Sequence, residues 1–221
     1  MGLDMYMSKV KKIDGMTLEE IMETAEYIDY LNRPSEYESC SYEAWCGGNE
    51  DRVRKDKIDE VKANIKKCYS SWDDKKEYGY DGIADGAAYW RKANQIHKWF
   101  VDNCGDGIDE CQLMNISKSK LELLLHIAQK VKDSCELVEG KIQNGYTFKN
   151  GKEAPIMEDG KYIKDPTVAK ELLPASEGFF FGSTAYDQWY LDDIESTIEQ
   201  ISKILETTDF DKEYVTYQAS W

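Results

Sequence analysis

The sequence predicts an α+β fold, a single domain over residues 1–221, with a mixed or antiparallel sheet that includes N- and C-terminal strands and is packed by several amphipathic helices. Three observations predict it. The opening LDMYMSKVKKI alternates apolar and polar residues, Leu3, Met5, Met7 and then Val10, as a half-buried strand does. The closing EYVTYQASW is β-branched and aromatic, suited to pair with the opening strand. Between them several stretches carry apolar residues at helical spacing with charges elsewhere. A chain of 221 residues that is 41% hydrophobic can bury a substantial core without disulfide staples.

Each element follows from local chemistry. After the Asp14-Gly15 turn, Thr17 and Glu20 form a capping box for a helix to about Asn32, stopped by Arg33 and Pro34. YESCSYEAWC, closed by Gly47-Gly48, is predicted as a short strand or an irregular aromatic segment. Residues 51–70 place Ile58, Val61, Ile65 and Cys68 on one face of a surface helix. The stretch AAYWRKANQIHKWF, residues 87–100, is predicted as a helix. At about 100° per residue its stripes are Tyr89, Ala93, Ile96, Phe100 and, beside them, Trp90, Asn94, His97, Val101. Ser117 caps a helix whose Leu121, Leu124, Leu125, Ala128, Val131 and Cys135 share a face. Residues 139–165 hold Asn144-Gly145, Asn150-Gly151 and Asp159-Gly160 turns, a hairpin-like excursion expected to be a lid or edge insertion. Three phenylalanines ending at Gly182 predict a short buried strand. Ser183 and Thr184 then open a helix from near Ala185, with Leu191, Ile194, Ile198, Ile201 and Leu205 on its inner stripe.

Composition narrows the function. The 43 acidic against 28 basic side chains leave a net charge of -15, which disfavours DNA or RNA as a partner. The N-terminal MGLDMYMSKVKKIDG has no signal-like apolar run, and no stretch approaches the roughly 20 residues that span a bilayer, so a soluble, intracellular protein with no membrane partner is expected. Tyr6 stands where a myristoylation signal needs Ser or Thr. Cysteines 40, 46, 68, 104, 111 and 135 form no Cys-x-x-Cys pair, so reduced thiols, no metal and no cofactor are expected.

The candidate ligand-binding residues lie in two segments. In the first, Arg91 and Lys98 border the stripe of Trp90, Asn94 and His97, as in a cavity wall. A buried Asn or His needs partners, core carbonyls or a ligand, because an unpaired polar group costs about 1–3 kcal/mol. A single His on an apolar helical face is also ordinary hydrogen-bonded core material. In the second, Ser183, Thr184 and Tyr186 surround a helix start whose N–H groups suit an anion. Ordinary capping competes with that reading, and Asp187 in the first turn argues against an anion. His126 points away from its leucine stripe, toward solvent.

The opening MGLDMY, the central YWRKANQIHKWF with VDNCGDGIDEC, the segment LLPASEGFFFGSTAYDQWY and the terminal YQASW together resemble a family of small proteins encoded by bacteriophages and prophage-bearing bacteria. The resemblance implies an accessory phage protein acting in the host cell cytoplasm on host metabolism, signalling or defence. It brings no family catalytic residues to carry across. Joined to the cations near aromatic faces, it implies a small-molecule nucleotide ligand that is sequestered to counter host antiviral defence. Guanidinium and ammonium groups would hold phosphate, and Trp90, Trp45 or Tyr186 would stack on a base. An enzyme degrading such a nucleotide would need His97 with Asp81, Asp85 or Asp187 as its minimum. A protein–protein inhibitor of a host complex is the third reading, with contacts from residues 139–165 or from Tyr27, Tyr30 and Tyr37. A homo-oligomer is expected, since small sequestering proteins often place sites between subunits.

Overall fold

The structure is a computed structural model and describes residues 2–33, 35–68, 82–149, 152–178 and 181–221. The fold is α+β, and its main sheet is four-stranded and antiparallel in the order β2-β1-β6-β3. The strands are β1 (Asp4–Lys11), β2 (Ala84–Arg91), β3 (Met114–Asn115) and β6 (Glu213–Ser220). The terminal strands are neighbours, as their patterns predict. In β1 the alternation is literal at its start: Met5 and Met7 are buried while Asp4 and Tyr6 face the other way.

Two compact units interleave along the chain: 1–7, 87–208 and 216–221 form one, and 8–86 with 209–215 form the other. In the second unit, helix α1 (Leu18–Leu31) starts at the expected capping box. Thr17 Oγ1 accepts the Glu20 N–H at 3.2 Å, and the Glu20 carboxylate accepts the Thr17 N–H at 2.8 Å. Its Ile21, Ala25 and Ile28 meet Val61 and Ile65 of α3 (Ile58–Cys68) in a core that also takes Val10, Leu18 and Ile83. The segment expected as strand or irregular is instead a short helix, α2 (Tyr42–Cys46). Ser41 caps it by accepting the Ala44 N–H, a local bond that fixes the turn before β-propensity can act. Tyr27, Tyr30 and Tyr42 pack with ring centroids 5.2–5.6 Å apart.

In the first unit, residues 87–100 are not one helix. Strand β2 ends at Arg91, Lys92 takes a left-handed φ of 62°, and helix α4 (Asn94–Cys104) begins after Ala93. The cause is a period-two alternation around Trp90, with Tyr89 and Arg91 exposed and Trp90 buried, completed when Lys92 N–H donates to the Leu3 carbonyl at 2.8 Å. Tyr89 and Trp90 therefore belong to no helical stripe. Helix α5 (Lys118–Ser134) has the predicted Ser117 cap and buries Leu121, Leu124, Ala128 and Val131, with His126 exposed. After α6 (Thr167–Leu172), helix α7 (Gln188–Thr207) starts later than Ala185. Asp187 is its cap, accepting from Trp189 and Tyr190 N–H, whereas the Ser183 hydroxyl accepts the Ala185 N–H in a turn of its own. Of the phenylalanine strand, Phe179 and Phe180 lie outside the described residues, and Phe181 is buried but in no strand.

The 139–165 excursion is a long two-stranded ribbon, β4 (Leu137–Lys149) and β5 (Lys152–Ile163). Asn150-Gly151 lies outside the described residues, and Asn144-Gly145 falls at a bulge where the register shifts between Gln143 and Tyr146. Asp159-Gly160 is no turn but mid-strand. Gly160 pairs with Gly140, and a Cβ at Gly160 would fall 2.4 Å from Ile142 Cδ1, so the glycine leaves room for a buried isoleucine.

Candidate functional site

Strands β1 and β2 turn their alternate residues onto one open sheet face in the first unit. It carries Asp4 and Tyr6 from β1 beside Tyr89 and Arg91 from β2. The Tyr6 and Tyr89 residues are 47% and 48% exposed, and their rings lie 5.3 Å apart. The Asp4 carboxylate accepts the Tyr89 hydroxyl and lies 3.8 Å from Arg91 Nε. That hydrogen bond raises the Tyr89 pKa, because losing the proton would set a phenolate against a carboxylate. Arg91 keeps a 60% exposed side chain. The β2 edge is closed beneath by Gln200, whose side-chain oxygen accepts the Tyr89 N–H at 2.8 Å.

At the end of β2, Lys92 holds its left-handed conformation against the loop that precedes α7. A Cβ on Gly182, itself at φ 95°, would come 3.1 Å from Lys92 Cβ, so the glycine lets the lysine stem lie flat on the loop. Next to it Asn94 is fully engaged. Its amide donates to the Phe181 carbonyl at 3.1 Å and the Ser183 carbonyl at 2.9 Å, and its oxygen accepts the Ser176 N–H at 2.9 Å. One buried carboxamide thus ties Ser176, Phe181 and Ser183 to α4, while the Ser183 and Thr184 residues are exposed.

His97, 2% exposed, lies deeper. Its Nδ1 is 2.8 Å from Tyr217 Oη and its Nε2 is 3.1 Å from both oxygens of Asp109. Burial, then the Asp109 charge, raises the Tyr217 pKa well above the usual phenol value, so the tyrosine keeps its proton. The Asp109 carboxylate can only accept, so His97 Nε2–H donates to it, while Nδ1 shares a hydrogen bond with the Tyr217 hydroxyl. Trp221 Nε1–H donates to Asp109 as well, at 3.2 Å, and Phe181 sets its edge on the His97 ring at 5.4 Å. The Phe100 ring stacks on Tyr217 at 4.0 Å.

The remaining predicted residues divide between packing and surface. Trp90 is buried and donates from Nε1 to Thr197 Oγ1 at 3.0 Å. Lys98 pairs with Asp102 at 2.7 Å on the surface of α4. Tyr186 accepts the Ala175 N–H at 3.0 Å and stacks near Tyr190 at 4.9 Å. The structure brings Asn94, Ser183 and the stem of Lys92 together, and sends Arg91, Trp90 and His97 to three different environments. Asp109 is the partner of His97; Asp81 lies outside the described residues, and Asp187 caps α7 instead. Sequence reasoning missed Asp4, Tyr6 and Asp109, and placed Tyr89 on a helical stripe. A period-two reading of AAYWR would have put Tyr89 and Arg91 on one exposed face opposite Trp90.

Two acidic groups beside this unit's core are also perturbed. Burial chiefly pushes Asp193 up to about 6, even though Gln95 donates to it at 3.2 Å. Burial likewise raises Asp187, whose Oδ2 has no hydrogen-bond partner among the described residues. Among the described residues no group of three or more His, Cys, Asp or Glu is arranged to hold a metal ion. Nor is any helix there long and apolar enough to cross a membrane. Compared with protein-family models, with curated proteins and with solved structures, the chain matches none.

Proposed function

We propose that the open sheet face of Asp4, Tyr6, Tyr89 and Arg91 binds a phosphorylated, base-containing small molecule and holds it intact. In this reading the protein is a phage or prophage accessory protein that withdraws a signalling nucleotide in the host cytoplasm. The observation that carries it is the exposed Tyr6–Tyr89 ring pair with a solvent-facing guanidinium beside it. Aromatic faces take bases of any sequence by stacking, worth about 1–3 kcal/mol each. A guanidinium holds phosphate through two parallel N–H donors. Lys92 and the exposed Ser183 and Thr184 add a second cation and two hydroxyls from the adjoining loop. The phage setting rests on the motif resemblance. Sequestration is favoured over turnover because both His97 nitrogens are engaged, leaving the buried imidazole no free base to offer a substrate.

A thermal-shift screen against cyclic dinucleotides, ADP-ribose derivatives and mononucleotides, followed by chromatography of each hit, tests the reading. A ligand at 100 times its Kd adds about 2.7 kcal/mol, and Arg91→Ala or Tyr89→Ala should erase that gain. An altered ligand would move the case to catalysis. No shift from any compound would sink the platform. Direct inhibition of a host complex is the second reading. It is favoured by the tyrosine cluster of the other unit, where residues 17–50 hold Arg33 as their one cation against nine carboxylates and Arg33 itself lies 3.9 Å over Tyr30.

A further inference from the structure

We infer that Thr197 of α7 is a positioning residue that sets the register of strand β2: by accepting the Trp90 indole it puts Tyr89 and Arg91, rather than Ala88 and Trp90, on the open sheet face. The strand itself leaves that choice open. Residues 87–92 read AAYWRK, three successive pairs of like side chains, Ala-Ala, Tyr-Trp and Arg-Lys. Side chains alternate between the two faces of a strand, so a slip of one residue brings Tyr89 to the buried slot of Trp90, Ala87 to the place of Ala88 and Arg91 to that of Lys92. The apolar pattern survives the exchange. Strand β2 also lies at one end of the order β2-β1-β6-β3, with only β1 beside it in the sheet among the described residues.

Main-chain bonds hold the strand without choosing between the registers. The Gln200 side-chain oxygen accepts the Tyr89 N–H, and Lys92 N–H donates to the Leu3 carbonyl; after a slip the same acceptors would meet the N–H groups of Ala88 and Arg91. The Tyr89 contacts with Asp4 and Tyr6 do depend on register, but they are exposed and water replaces them at little cost. The bond from Trp90 Nε1–H to Thr197 Oγ1 is different. Trp90 is 3% exposed and Thr197 0%, and the Thr197 hydroxyl donates its own proton to the Asp193 carbonyl at 2.7 Å, which leaves its oxygen to accept from the indole. A tyrosine carries its donor at the tip of the ring instead, so the slipped register leaves the hydroxyl oxygen without that partner inside the core.

Residue-resolved hydrogen exchange of the full chain tests this without any ligand. In the observed register Lys92 N–H is bonded inside the sheet, while alternation turns Arg91 N–H to the outer edge. Transposing the aromatics, Tyr89→Trp with Trp90→Tyr, should carry the register along with the indole, so that Arg91 becomes protected and Lys92 exchanges freely. An unchanged pattern overturns the inference. Should the transposed chain fail to fold, Thr197→Val answers alone: Lys92 protection should fall about tenfold, as expected when one buried hydrogen bond no longer separates the registers, with α5 unaffected and Thr197→Ser restoring the wild-type value. Unaltered protection, or an equal loss throughout α5, overturns it. That this register serves a nucleotide rests on the function proposed above. Nucleotide-induced stabilisation should vanish in the transposed chain, whereas a wild type that binds none sinks that function alone, because the exchange readouts need no ligand.

Discussion

Arg91 and His97 stand in one short stretch of sequence, yet they occupy opposite kinds of environment. Around His97 every polar group is matched: the Tyr217 hydroxyl, the imidazole and the Asp109 carboxylate form a closed line inside an aromatic shell. Around Arg91 the Tyr6 and Tyr89 rings are half exposed, and the arginine side chain is itself 60% exposed. The contrast teaches that a concentration of cationic and aromatic residues has no single meaning. Enclosure converts such a cluster into scaffold, and exposure leaves it free to meet a partner.

The widest separation of the two regions should come from His97→Ala. It leaves Tyr217 and Asp109 without their shared partner and opens a cavity, so unfolding free energy should fall by about 3 kcal/mol in a urea titration. Asn94→Ala strips three hydrogen bonds, to Ser176, Phe181 and Ser183, and should cost about 2 kcal/mol. Hydrogen exchange should quicken at Ser176 first, because its N–H loses its acceptor. Next is a pH effect. Asp193 titrates near 6 in the folded protein and near 3.8 when unfolded, so the folded state holds the extra proton between those values. Stability contributed by that proton is present below about pH 4 and is lost as pH rises to about 6. Asp193→Asn should flatten this slope relative to wild type in melts taken from pH 4 to 7. The smallest effect belongs to the platform: Arg91→Ala should shift stability by no more than about 0.5 kcal/mol. A large loss there would mean that Arg91 holds the fold and would dissolve the contrast.

Much of the fold was legible in the chain. Thr17 with Glu20 and Ser117 announced their helices because capping is a local bond between near neighbours. The terminal strands declared themselves by alternation and composition. The break at Lys92 was hidden, since Tyr89, Trp90, Ala93 and Phe100 satisfy a helical period and a strand period over so few residues. Only the bond from Lys92 N–H to the Leu3 carbonyl, distant in sequence, decides between them. The same holds for Asp109 and Tyr217, which meet His97 through tertiary contacts that no spacing encodes. Asp187 displaced Ser183 as a cap because its carboxylate reaches two backbone N–H groups.

The position of Asp4 sets a condition on whatever occupies the open face. This carboxylate holds the Tyr89 hydroxyl and attracts Arg91, so an incoming anion must compete with a resident one for the guanidinium. A singly charged group offers little advantage over the carboxylate already in place, whereas a doubly charged terminal phosphate does. Under the proposed nucleotide binding, the Asp4 carboxylate would make this face select for charge density, and Asp4→Asn should then relax it toward singly charged diesters.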